Sequence, residues 1–119
     1  MGVAMIVRRR FEFEAAHRLP NHPGKCRELH GHSYKLVIQV DNPVDRTSGM
    51  AIDFSDLKTI VREHVVSRLD HVYLNDLIEN PTAEHIATWI WSELKPALAG
   101  LQEVELHETS NCCVIYRGE

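Results

Sequence analysis

The chain has 119 residues, 44% of them hydrophobic and 25% charged, with a formal net charge of -4. That profile fits one ordinary globular domain over residues 1–119; it offers no general footprint for nucleic acid, and the longest apolar runs fall far short of a membrane span. Three cysteines behind an N-terminus that does not read as a secretory leader point to a reducing cytoplasm and away from a disulfide framework, whereas eight histidines in so short a chain are the compositional oddity.

Residues 5–17 alternate. Val7, Phe11, Phe13, Ala15 and His17 share one face, and Arg8, Arg10, Glu12 and Glu14 share the other, which predicts a half-buried strand. Pro20, Asn21, Pro23 and Gly24 mark residues 18–29 as a loop. A second strand carries Tyr34, Leu36, Ile38 and Val40 inward and ends at Asp41-Asn42-Pro43. Asp53 or Ser55 can cap a helix to about Leu69, with Leu57, Ile60, Val61, His64 and Val65 at helical spacing. Residues 70–80 read as a loop. Asn80 or Thr82 then starts a second helix with an apolar stripe of Ala83, Ile86, Ala87, Ile90 and Leu94. Two short strands follow, around 102–109 and 112–117, joined by a turn at Ser110-Asn111. The order strand-strand-helix-helix-strand-strand predicts an α+β domain: a four-stranded antiparallel sheet with two helices on one face.

His30-Gly31-His32 heads the second strand, and both imidazoles share the parity of Tyr34 and Leu36. His17 lies at the tail of the first strand on the matching face. Antiparallel pairing of these strands brings all three rings to one end of the sheet. Three histidines with a fourth position open is a catalytic zinc arrangement, although imidazole also suits copper, iron or nickel. The plain alternative is a set of polar residues at strand ends. His22, His64, His85 and His107 lack this geometry and read as surface or core-edge residues.

Cys26 sits between Lys25 and Arg27, four residues before His30. It can close the metal site as a fourth ligand, serve as a base or nucleophile beside an open one, or be an inert loop thiol. Cys112 and Cys113 read as packing residues of the last strand. Asp70-His71 is a proton-carrier pair or a histidine at a helix end with a solvated Asp. Glu108 continues the inward parity of Val104 and Leu106. A core-facing carboxylate calls for a partner, and a ligand with adjacent N–H donors, such as a guanidine-like or pterin edge, would supply one; otherwise Glu108 is an edge residue reaching solvent.

Taken together, these residues resemble the 6-pyruvoyl-tetrahydropterin synthase family over the whole chain, and most nearly its bacterial 6-carboxy-5,6,7,8-tetrahydropterin synthase branch. The segments that carry the resemblance are Phe13 to Pro20, Cys26 to His32 (CRELHGH), Asp53-Phe54, Leu69-Asp70-His71, Leu74-Asn75, Pro81 to Glu84, Glu108-Thr109 and Tyr116 to Glu119. The resemblance implies a tunnelling fold and a homohexamer of two trimers with active sites between subunits. It assigns His17, His30 and His32 to zinc, and Cys26 as the proton-abstracting base with Asp70 and His71 in its relay. It assigns Glu108 to the pterin ring, with Thr109 and Thr82 nearby. The implied substrate is 7,8-dihydroneopterin triphosphate, and Arg27, with Arg18 and Lys25, is a candidate for its phosphates. The implied role is a zinc-dependent lyase of queuosine and 7-deazapurine biosynthesis. Two other readings stand beside it: a pyruvoyl-forming synthase on the same residues, and a non-enzymatic pterin-binding module whose zinc is structural.

Overall fold

The computed structural model describes residues 3–119; Met1 and Gly2, at the head of the segment judged not to be a leader, lie outside the described residues. Two 14-residue strands, β1 (Ala4–His17) and β2 (His30–Pro43), form a long antiparallel hairpin. The chain then enters helix α1 (Phe54–Val61), capped by the Asp53 carboxylate, which accepts the N–H groups of Ser55 and Asp56. A π turn over Arg62–Val66 and a last α turn over Ser67–Leu69 continue the same rod. After the two-residue strand β3 (Val72–Tyr73) comes helix α2 (Ala83–Leu94), then β4 (Leu101–Thr109) and β5 (Cys112–Tyr116).

The sheet order is β3-β1-β2-β4-β5. The expected four strands are present and antiparallel, but the sheet is five-stranded and mixed. β3 pairs in parallel with β1 through Ala15↔Val72 and Ala16↔Tyr73. Two residues carry too little pattern to read as a strand; what holds them is the anchoring of Asp70 and His71 just before them. The His71 N–H donates to the Glu14 carbonyl at 2.5 Å, and the Glu14 N–H donates to Asp70 Oδ1 at 2.8 Å.

The helices bury one face of the sheet. Phe13, Tyr34, Leu36, Ile38, Val104 and Leu106 meet Leu57, Val61, Val65, Leu69, Ile86, Ile90 and Leu94, all essentially inaccessible to solvent. Leu57, Val61, Val65 and Leu69 recur strictly every fourth residue. An α-helix turns once in 3.6 residues, so such a repeat drifts around the rod; the wider π turn winds it back and keeps the four side chains in one stripe. His64, placed by spacing on this stripe, is exposed instead. Cys112 and Cys113, expected to pack, are also exposed, because β5 is an outer strand and they lie at its start beside the turn. No described helix is long and apolar enough to cross a membrane.

Candidate metal centre

His17 and His30 face each other across the hairpin in direct register, and His32 stands opposite Ala15. The small Ala15 side chain leaves room on the inner face. The three rings pack edge to face, with centroids 4.5, 4.9 and 5.1 Å apart. Backbone carbonyls orient two of them. His17 Nδ1 lies 2.8 Å from the Pro81 carbonyl and His30 Nδ1 lies 2.8 Å from the Glu28 carbonyl. A carbonyl only accepts, so each Nδ1 carries the hydrogen and each Nε2 keeps its lone pair. His17 Nε2 and His32 Nε2 are buried without a hydrogen-bond partner. Such orphaned atoms are costly, about 1–3 kcal/mol each, unless something is bound between them.

Glu108 joins this group. One donor atom from each of His17, His30, His32 and Glu108 lies within 4.8 Å of all the others, so the cluster can hold a metal ion. Three imidazoles and a carboxylate suit zinc and its first-row neighbours. Burial drives the pKa of His17 below the usual imidazole value, against the opposing pull of the Pro81 carbonyl. Burial lowers His32 too, with Glu108 opposing. Both rings are thereby held neutral, the form that ligates. The fully buried Tyr34 hydroxyl, 3.4 Å from His17 Nδ1, is pushed above the ordinary phenol range by burial first and by Glu108 second. It stays neutral beside the cluster.

Glu108 was assigned from sequence to a ligand ring and not to the metal; the structure puts it beside the metal donors. Parity with the buried Val104 and Leu106 turns it inward, and a β-bulge marks its position. β4 pairs with β5 at His107↔Cys113 and then at Thr109↔Cys112, so Glu108 is the extra residue. Bulges re-aim side chains and concentrate next to active sites.

Cys26 lies in a 3-10 turn (Lys25–Arg27), half-buried and outside the four-donor cluster. The loop around it is tied down by the Leu19 N–H, which donates to the Cys26 carbonyl at 2.7 Å. His71 pairs with its neighbour, Nδ1 3.0 Å from Asp70 Oδ2, and its side chain is 78% exposed. The N–H of Glu14, with His71 second, lowers the pKa of Asp70. Among the described residues no hydrogen bond joins His71 to Cys26. His71 instead borders a groove of about 510 Å³ that also reaches Glu14, Ala15, His32, Ser33 and Tyr73.

The remaining candidates do local work within the chain. Thr82 caps α2, its Oγ1 accepting the His85 N–H at 3.1 Å. Thr109 is exposed, and its Oγ1 accepts the Asn111 N–H at 3.3 Å. Arg27 is exposed, and its carbonyl accepts from Arg18 Nε. Sequence reasoning gave no role to Asn75, whose side chain clamps the chain just after His17: Oδ1 accepts the Arg18 N–H and Nδ2 donates to the Arg18 carbonyl, both at 2.9 Å. It also missed the Pro81 and Glu28 carbonyls. The proline before the α2 cap was the available signal, since it fixes the chain where His17 needs an acceptor.

The family model described as 6-pyruvoyl tetrahydropterin synthase matches residues 6–119. The chain is 45% identical to a 6-carboxy-5,6,7,8-tetrahydropterin synthase of Synechocystis, with 93% of this chain and 92% of the relative covered. It is 36% identical to a 6-pyruvoyl tetrahydrobiopterin synthase of Dictyostelium discoideum, with both chains covered in full. The solved 6-pyruvoyl tetrahydropterin synthase of Caenorhabditis elegans superposes with a TM-score of 0.90 at 28% identity, over 99% of this chain and 98% of that one. Likeness at the level of sequence and of fold therefore runs the length of the molecule, and the chain belongs to the 6-pyruvoyl tetrahydropterin synthase family.

Proposed function

We propose that this protein converts 7,8-dihydroneopterin triphosphate to 6-carboxy-5,6,7,8-tetrahydropterin, releasing acetaldehyde and triphosphate, in queuosine and 7-deazapurine biosynthesis. The observation that carries the reading is the convergence of His17, His30, His32 and Glu108 on one point, in a chain 45% identical to a relative named for that product. Identity supports the carboxy branch: 45% to the Synechocystis protein named for that product, against 36% to the Dictyostelium protein named for the pyruvoyl product.

The roles follow from placement. A zinc ion held by His17, His30 and His32 supplies Lewis acidity to the hydroxyls of the substrate side chain. Cys26, on the loop leading into the cluster, takes a proton from that side chain. Asp70 orients His71, which carries the proton onward. Glu108 presents its two oxygens to the N–H edge of the ring, with Thr82 and Thr109 close by, and Arg27 meets phosphate. Proton transfers then move reducing equivalents from side chain to ring as triphosphate leaves, and carbon–carbon cleavage, with one water consumed to complete the ring carboxylate, releases acetaldehyde.

His71 lacks a hydrogen bond to Cys26 in its own chain and stands open to solvent, so a second copy completes the relay; we read the assembly as a hexamer of two trimers. Three free cysteines fit a reducing cytoplasm. The test is incubation of the purified protein with dihydroneopterin triphosphate and mass analysis of the products. The expected result is the 6-carboxy pterin with acetaldehyde. A dominant pyruvoyl product without acetaldehyde moves the protein to the other branch, and no turnover with zinc retained makes it a binding module. Cys26→Ala should keep near-stoichiometric zinc and lose turnover.

A further inference from the structure

Glu108 occupies a position that holding a ring does not by itself explain. Its Oε1 lies 3.1 Å from His32 Nε2, yet His32 Nε2 is a buried nitrogen with no hydrogen-bond partner. The two atoms are close, but they are not aligned as donor and acceptor. They stand side by side, as two donors facing a common third point do. The separation has a natural scale. Donors at about 2.0–2.1 Å from a tetrahedral ion lie roughly 3.3 Å from one another. The Glu108–His32 distance is close to that edge, and the Glu108 oxygen is within 4.8 Å of the donor atoms of His17 and His30 as well.

Glu108 also differs from the histidines in freedom. It sits on the β4 bulge, its side chain is one-quarter exposed, and no backbone carbonyl or amide fixes it. His17 is fully buried and held by Pro81. A site in which backbone carbonyls hold His17 and His30 while the Glu108 side chain is unheld invites exchange at the carboxylate.

We propose that Glu108 is a carboxylate latch: without substrate it fills the fourth position beside the three histidines, and it leaves that position to take the N–H edge of an incoming pterin. Metal ligation by Glu108 stands on the geometry alone; the exchange rests on the pterin reading above. The exchange is chemically balanced, because a ring presenting two parallel N–H donors offers the carboxylate a bidentate, charge-assisted pair in place of one metal bond. The fourth position is then closed at rest and opened by the ligand that needs it.

Metal affinity in the absence of any pterin is the first readout. Zinc-loaded protein is titrated with a chromophoric chelator. Glu108→Ala and Glu108→Gln should bind zinc roughly 10–100-fold more weakly than wild type; Glu108→Gln keeps the shape and decides the matter if Glu108→Ala does not fold. The second readout is the visible spectrum of the cobalt(II)-substituted protein with unsubstituted pterin, which has the N–H edge but no side-chain hydroxyl. Wild type should change its spectrum as pterin saturates. Glu108→Gln should start from a different spectrum, and pterin should not move it. Unchanged zinc affinity in a folded Glu108→Gln protein overturns the ligation, and a wild-type cobalt spectrum indifferent to saturating pterin overturns the exchange. Wild-type zinc affinity in both variants, beside a wild-type protein that turns over, would sink the latch and leave the proposed function standing. Loss of zinc affinity in a protein that never turns over would do the reverse.

Discussion

Among the described residues His71 is the one non-glycine with a positive φ, 59°. A left-handed backbone costs an L-residue about 1–2 kcal/mol, and strain of this kind persists where the surroundings enforce it. Here Glu14 enforces it from both sides, accepting the His71 N–H and donating to Asp70. Glycine would adopt the same turn without strain, offset by its larger backbone entropy, so His71→Gly should stay within about 1 kcal/mol of wild-type stability by denaturant titration. Turnover should nevertheless be lost. A large destabilisation would show that the ring holds the fold rather than a proton. Asp70 adds a pH signature. Its folded pKa lies below the ordinary value of 3.8, so the stability it supplies is complete above that value and is lost as pH falls from there through the lower folded pKa. The stability advantage of wild type over Asp70→Asn should therefore be flat near neutrality and close in acid; a difference that is unchanged at pH 3 argues that the Glu14 bond does not depend on the charge. None of this strain is legible in the letters Asp-His, which describe a helix-end pair equally well. The three imidazoles are legible, because strand parity and antiparallel pairing follow from alternation alone.

Helix α2 shows how an ordinary element does the site's work. Thr82 caps it, and the residue just before the cap, Pro81, gives its carbonyl to His17. The cap and the ligand's orientation are thus consecutive residues of one turn. Removing an N-cap hydroxyl costs about 1 kcal/mol. Thr82→Ala should lose that much stability, and zinc affinity should fall with it as the Pro81 carbonyl loosens, whereas Thr82→Ser should restore both. Normal zinc binding in a destabilised Thr82→Ala protein would separate the cap from the site. The resemblance placed Thr82 near the substrate; its side chain is committed to the helix. At this scale the sequence showed helices and strands wherever a period ran for several turns. It hid what depends on a single residue out of step: the π turn that follows α1, the bulge at Glu108, and the two-residue β3. The repeat of four from Leu57 to Leu69 was the visible trace of the first.

In the whole molecule, both outer edges of the sheet are largely unpaired. β1 is covered by β3 only at Ala15 and Ala16, and Glu14 is bound by Asp70 and His71, which leaves the run from Ala4 to Phe13 open on that side, and β5 is the other edge. Val3, Met5 and Ile6 beside one edge and Ile115 on the other are exposed. Open edges with apolar side chains and no proline are templates for another chain, and in a closed assembly each copy would use both. Light scattering should accordingly give six copies, and a clean active monomer would refute the shared relay as well. Mixing tests the relay directly. Cys26→Ala and His71→Gly should each be inactive alone. If Cys26 of one copy works with His71 of the next, equal amounts dissociated and reassembled together will pair an intact Cys26 with an intact His71 at roughly a quarter of the interfaces. About that fraction of wild-type turnover should return, with no change in zinc content, since His17, His30 and His32 are intact in both. A relay contained within one chain would have no such interface to repair, because every copy in the mixture lacks one of the two residues, and the mixture would remain as inactive as its parts.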